Sequence, residues 1–197
     1  MKDDRVLRLS VTALMAALAY VSFTFLKINI PTPGGYTAFH LGNTFTVLAA
    51  LMLGGLTGGI AGAIGMGIGD ILDPLYITVA PKTIILKTMI GVVTGFFAHK
   101  VFKINHLEDG KKLTRAVSIS SSMGMLFNCI GEPLFSYFYT AYILGAPTQA
   151  AEKLAKFNAI TTFTNAVLAV IISSLLYLAV RKRLKNNDTL QKIAPKY

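Results

Sequence analysis

Six apolar runs, separated by short polar breaks, leave this chain few ways to fold. They cover roughly residues 8–28, 41–55, 57–75, 83–102, 115–144 and 157–181. A bilayer's hydrocarbon core is ~30 Å thick and takes ~20 residues of helix to cross. The second run is the shortest: it meets the glycine cluster "GGLTGG" (54–59) after about fourteen residues, or ~21 Å of helix. Only 14% of the 197 residues are charged and 53% are hydrophobic, against ~25% charged in soluble domains. A soluble fold would leave large apolar patches in water. The expectation is an all-α integral membrane protein, with residues 1–197 forming one domain.

The charge pattern sets the expected number of crossings. The chain carries a net charge of +10, and its basic residues gather in three clusters: "MKDDRVLR" at the start, "HKVFKINHLEDGKKLTR" at 99–115 and "RKRLK" at 181–185. Basic clusters at the ends of apolar spans mark cytoplasmic loops, and this placement argues against nucleic-acid binding. If all three face the cytoplasm, an even number of spans precedes the 99–115 loop and an even number follows it. "GGLTGG" then reads as a tight cytoplasmic turn, giving four spans before that loop and two after. The expectation is six transmembrane helices with both termini cytoplasmic. The first apolar run is long enough to be a retained span rather than a cleaved signal. The single cysteine, Cys129, reads as a small buried hydrophobe.

Three loops then face outward: 29–42, 73–82 and 145–156. The first contains "IPTPGGYTAFHLGNTF" (30–45), whose prolines and glycines cannot continue a helix but suit a cap over a pocket. In the third run, Gly54/Gly58, Gly58/Gly62, Ala61/Gly65 and Gly65/Gly69 repeat the small-xxx-small spacing that lets helix backbones approach closely. "GMGIGD" in the same run lacks the last glycine of a dinucleotide fingerprint, and no strand precedes it. No Walker A, H-E-x-x-H or C-x-x-C motif occurs, and the histidines are scattered. Neither a metal site nor a cofactor is expected.

Polar residues at membrane depth are costly and tend to line functional cavities. On the expected topology Asp70, Lys87, Glu132, Asn158 and Asn165 converge on the outward half, beneath the loop that carries His40. Blander readings exist for several. Asn43 suits a helix N-cap. Asp73 and Lys82 suit the membrane interface, Asp70 and Lys87 a structural ion pair, and Glu132 and Asn165 interhelical bonding. Pro133 follows Glu132, and a kink there would turn the carboxylate to a cavity. Tyr36, Phe39, Tyr76, Phe135, Tyr139 and Tyr142 are candidates to stack on a flat ring. The candidate ligand contacts are Tyr36, His40, Asn43, Asp70, Lys87, Asn128, Glu132, Tyr139, Asn158 and Asn165. A mostly apolar pocket with a few fixed polar groups suits a small heterocycle.

Several segments, in this order and spacing, carry a resemblance. They are "VTALMAALAYV", a Pro/Gly loop, "HLGNTFTVLAALMLGGLTGGIAGAIGMGIGDIL", "APKTIILKTMIGVVTGFFAHK" and "TNAVLAVIISSLLY". Over nearly its whole length the chain resembles the S components of energy-coupling-factor (ECF) vitamin transporters. It looks closest to the riboflavin-type subfamily that includes pyridoxine and hydroxymethylpyrimidine proteins. The resemblance implies a six-helix fold whose outer loops and last three helices enclose the vitamin. It also implies partners, a transmembrane T component and two ATP-binding cassette ATPases, with no enzymatic activity in this chain. A small-residue patch on the first helix, here Ala13 and Ala17, would meet the T component. Asn43 departs from the pattern, since many relatives have aspartate there. The expected ligand is pyridoxine or hydroxymethylpyrimidine, with riboflavin, pantothenate and folate open. The expected location is a bacterial plasma membrane, multi-pass. Two other readings remain: a stand-alone secondary transporter, which would want an inverted repeat, and a membrane-embedded hydrolase, for which "DILD" (70–73) finds no second acidic motif.

Overall fold

The computed structural model of the chain describes residues 2–186 and 189–195. The fold is a helical bundle with one small sheet. In order, α1 is Lys2–Thr24, β1 Lys27–Thr32, β2 Gly35–His40, α2 Gly42–Leu53, α3 Gly55–Ile71, α4 Ala80–Gly95, α5 Lys111–Phe138, α6 Thr148–Asn186 and α7 Thr189–Ile193. Wider π-helical turns extend α4 through Phe96–Val101 and α5 through Tyr139–Ile143. The segments Asp4–Thr24, Ile77–Val101 and Thr148–Lys185 are each long and apolar enough to cross a membrane.

The short helix α2 is the centre of the bundle. Every residue from Gly42 to Leu53 is buried except Phe45, and α1, α3, α4 and α6 all pack against it. It ends at Gly54, whose φ of 93° is a conformation that side-chain-bearing residues avoid, and α3 begins at the next residue. The expected turn at "GGLTGG" is thus one residue long. Past it, α3 sorts its side chains into columns. A methyl group at Gly58 or Gly62 would strike α2 at Ala50 or Thr46; at Gly65 or Gly69 it would strike α1; at Gly59 it would strike the Thr88 backbone of α4. The remaining face holds Leu56, Ile60, Ile64 and Ile68, all exposed. Three helices therefore pack on α3 at backbone distance, and its fourth side is purely apolar.

Two of the expected boundaries move. The helix α6 begins at Thr148, inside the segment 145–156 that reads as a loop. Residues 27–40 form an antiparallel hairpin, with Lys27 opposite His40 and Thr32 opposite Gly35, in place of an irregular loop. Pro33 and Gly34 make its two-residue turn. Pro31 lies in β1, a strand with an unpaired edge, where a missing N–H costs no ladder bond. The hairpin lies against α6. A Cβ at Gly34 would collide with the Ala150 carbonyl, and Thr37 and Thr161 share a hydroxyl–hydroxyl bond of 2.7 Å.

At the other end of the bundle, arginines tie the helices together. Arg8 donates to the Leu53 carbonyl at 2.8 Å. Arg181, 2% exposed, donates to the Ile104 and Leu107 carbonyls at 2.7 and 2.6 Å.

Candidate functional site

A cavity of about 70 Å³ lies beneath the hairpin, between it and α2 to α6. That is room for about five water molecules. Each wall is built by helical spacing. On α5, Asn128, Glu132, Ser136 and Thr140 follow one another at four-residue steps and all face the cavity. On α6, Asn158, Thr161, Thr162 and Asn165 repeat at three and four. On α4, Lys82, Thr83 and Lys87 share one face, with Asp70 from the last turn of α3 and Asn43 from the first turn of α2 opposite them. The hairpin supplies Tyr36, Thr37, Ala38 and His40 as the roof.

The charged groups interlock. Lys82 meets the Glu132 carboxylate directly and donates to Ser136 at 2.7 Å, and Asn158 donates to the same hydroxyl at 2.6 Å. Lys87 stands 3.9 Å from the second Glu132 oxygen. Both polar atoms of Asn165 hold the hairpin: its Oδ1 accepts from the His40 N–H at 3.1 Å and its Nδ2 donates to the Ala38 carbonyl at 3.0 Å. His40 Nδ1 accepts from the Gly42 N–H at 3.2 Å, which makes Nε2 the protonated nitrogen of the neutral ring. Four acceptor atoms on three of the lining residues are left over. Both Asp70 oxygens, Asn43 Oδ1 and Asn128 Oδ1 are buried without a hydrogen-bond partner.

Outside the helices, Lys27 pairs with Asp73 and lies over the Phe23 and Tyr76 rings at 5.3 and 4.7 Å. Tyr76 in turn donates to Asn29 at 3.0 Å and to the Thr37 carbonyl at 3.2 Å. These contacts hold the hairpin to the segment between α3 and α4. Burial drives the Tyr76 hydroxyl well above the usual phenol range, with Asp73 and Asp70 adding to it, so it stays a donor.

Nine of the ten candidate residues line this one cavity: Tyr36, His40, Asn43, Asp70, Lys87, Asn128, Glu132, Asn158 and Asn165. Tyr139 does not, because its hydroxyl donates outward to the Thr78 carbonyl at 2.9 Å. Of the stacking candidates only Tyr36 and Tyr76 face the cavity, joined by Phe23. Phe135 and Tyr142 are exposed. The capping role for Asn43 is removed, since Leu41 occupies the N-cap position and Asn43 lies inside the helix. The structural Asp70–Lys87 pair, the blander alternative for these two residues, does not form; Lys87 turns to Glu132. Lys82, read as equally suited to the interface, is 6% exposed inside the cavity. Ser136, Thr140 and Thr161 escaped the sequence reading, although the four-residue polar column on α5 was there to be read.

The sequence pattern of "ECF-type riboflavin transporter, S component" matches residues 4–182, nearly the whole chain. The chain belongs to this family. S components are membrane-embedded substrate-binding subunits of transporters rather than enzymes, and the cavity of this one lies where its membrane helices and hairpin meet. The S component is also 26% identical over 164 residues to an uncharacterized protein in the gap 3′ region of Pyrococcus woesei, covering 83% of this chain and 96% of that protein. Its long exposed apolar columns, such as Ile160, Phe163, Val167 and Ile171 on α6, suit a bilayer rather than water.

Proposed function

We propose that this S component captures a small water-soluble vitamin or vitamin precursor, with a single-ring compound of the pyridoxine or hydroxymethylpyrimidine kind fitting best. The observation that carries the reading is the convergence of nine polar or aromatic candidates from six elements on one cavity. Its compact volume and dense hydrogen-bonding walls favour a single substituted ring over the three-ring system of riboflavin or the long tail of folate. The chain crosses the membrane six times with both termini cytoplasmic, so the hairpin and cavity face outward. Delivery into the cell depends on an ECF T component and two ATP-binding cassette ATPases. The candidate ligand contacts are the nine cavity residues named above, with Tyr139 serving the rim.

The test has two arms. Mass spectrometry of small molecules released from the purified protein identifies the ligand, and a pyridine or pyrimidine vitamin is expected. Liposomes holding the S component alone are then given that labelled vitamin. Saturable binding without concentration is expected, and sustained concentrative uptake without the ATPases would overturn the reading.

A further inference from the structure

The cavity's charges balance, but its hydrogen bonds do not. Lys82 and Lys87 face Asp70 and Glu132, so the charged lining side chains sum to zero. Lys82 and Glu132 hold each other, and Ser136 completes that set. Asp70 is what remains. It is 1% exposed, and neither carboxylate oxygen has a hydrogen-bond partner. The Thr83 hydroxyl on α4 acts on this carboxylate but stands outside hydrogen-bond geometry. Lys87 is its counterpart. It is 4% exposed, and its charged partner among the described residues is Glu132 at 3.9 Å, beyond hydrogen-bond length. One wall therefore offers an unused anionic acceptor and the neighbouring wall an unused cationic donor. Buried polar groups are almost always satisfied. In a polar cavity of this size water can serve when the site is empty, and a ligand must replace that water group for group.

We infer that the cavity selects a ring without net charge that carries a hydrogen-bond donor beside an acceptor, the donor meeting Asp70 and the acceptor meeting Lys87. The inference rests on the proposed vitamin capture and narrows its substrate class. An aminopyrimidine edge, with an amino N–H beside a ring nitrogen, has this arrangement. So does a pyridine with adjacent hydroxyl and hydroxymethyl groups. Asn43 Oδ1 and Asn128 Oδ1, also without donors, add acceptors from α2 and α5 for further hydroxyl groups. A carboxylate or phosphate ester is refused on two counts. It unbalances walls in which Lys82 is already held by Glu132, and it leaves Asp70 facing like charge. A ring lacking the donor strands the buried carboxylate, the form of mismatch that discriminates most strongly.

Calorimetry on the purified full-length protein tests this with pyridoxine, hydroxymethylpyrimidine, the 4-carboxylate analogue of pyridoxine, and pyridoxine phosphate. The uncharged pair should bind at least about tenfold tighter than the anionic pair, since one mispaired charged hydrogen bond is worth about that much. Asp70→Asn should weaken the uncharged ligands by about ten- to a hundredfold and narrow the gap to the carboxylate. Lys87→Gln, which leaves Asp70 in place, should also weaken them, and both variants are checked for monodisperse elution. Anionic ligands that bind the wild type as well as the uncharged ones would overturn the inference without needing any variant. Unchanged affinity in a folded Asp70→Asn protein would also overturn it, with vitamin capture still standing. A wild type that binds none of the four, yet releases a compound of another class on denaturation, would end both readings.

Discussion

Asn43 is 2% exposed and its Oδ1 meets no donor. Since Leu41 is the N-cap, replacing Asn43 removes no cap. Asn43→Ala should leave the melting temperature of the empty protein near that of the wild type, because a buried acceptor without a partner stabilises nothing. Ligand affinity should fall several-fold to about a hundredfold. Normal affinity in isothermal titration would remove Asn43 from the site. His40 carries a second prediction. Burial above all, then Lys87, depresses its pKa to about 3, with Glu132 pulling it upward and Lys27 adding to the depression. An unfolded histidine titrates near ~6.5. Between these values the folded protein binds fewer protons than the unfolded chain, so stability rises with pH there. The His40 contribution is fully present above ~6.5 and is lost as pH falls toward about 3. Melting temperature should drop from pH 7 to pH 5, and His40→Gln should flatten part of that drop. An equal slope in the variant would show that His40 titrates normally. Which residues share the cavity was legible where they recur at helical spacing, as Asn128 and Glu132 do. Where the Tyr139 phenol turns was not legible, because it depends on a backbone partner far away in sequence, the Thr78 carbonyl.

Between Lys27 and His40 the alternation of the strands is masked by Pro31, Pro33, Gly34 and Gly35, which read as a breaker. The strands emerge because the prolines fall where no ladder N–H is needed and because α6 supplies a surface to lie on. The helices were legible because apolar runs dominate them; the hairpin was not, because a two-stranded sheet depends on neighbours distant in sequence. Its attachment gives a prediction. Lys27–Asp73 and the Tyr76 hydroxyl fasten β1 and β2 to the segment after α3. Lys27→Met and Asp73→Asn should each speed ligand release several-fold, and the double variant should add little to either single. Stopped-flow displacement measures this, and unchanged release rates would place the fastening elsewhere. Tyr36→Ala and His40→Ala together report on the roof itself. Wild-type affinity in both would leave the hairpin as a mere connector.

For the molecule as a whole, α1 presents Val6, Leu9, Ala13, Leu14, Ala17 and Val21 on an exposed face, away from the cavity. Ala13 and Ala17 lie one turn apart there, so a partner helix could approach closely. Replacing both with tryptophan should abolish co-purification with the T component and leave vitamin affinity unchanged. Loss of affinity with assembly intact would place the partner face elsewhere. The two outcomes separate because α1 contributes only Phe23 to the cavity lining. Finally, the columns of α3 make a forecast about descent. A Cβ at Gly58 or Gly65 would strike the backbone of a neighbouring helix, and one at Gly62 or Gly69 would strike the side chains of Thr46 or Phe23, whereas Leu56, Ile60, Ile64 and Ile68 are exposed. Related chains should therefore exchange Leu56, Ile60, Ile64 and Ile68 freely among apolar side chains while the glycines stand still. Within this one helix the pace of evolution should alternate with a period of one turn.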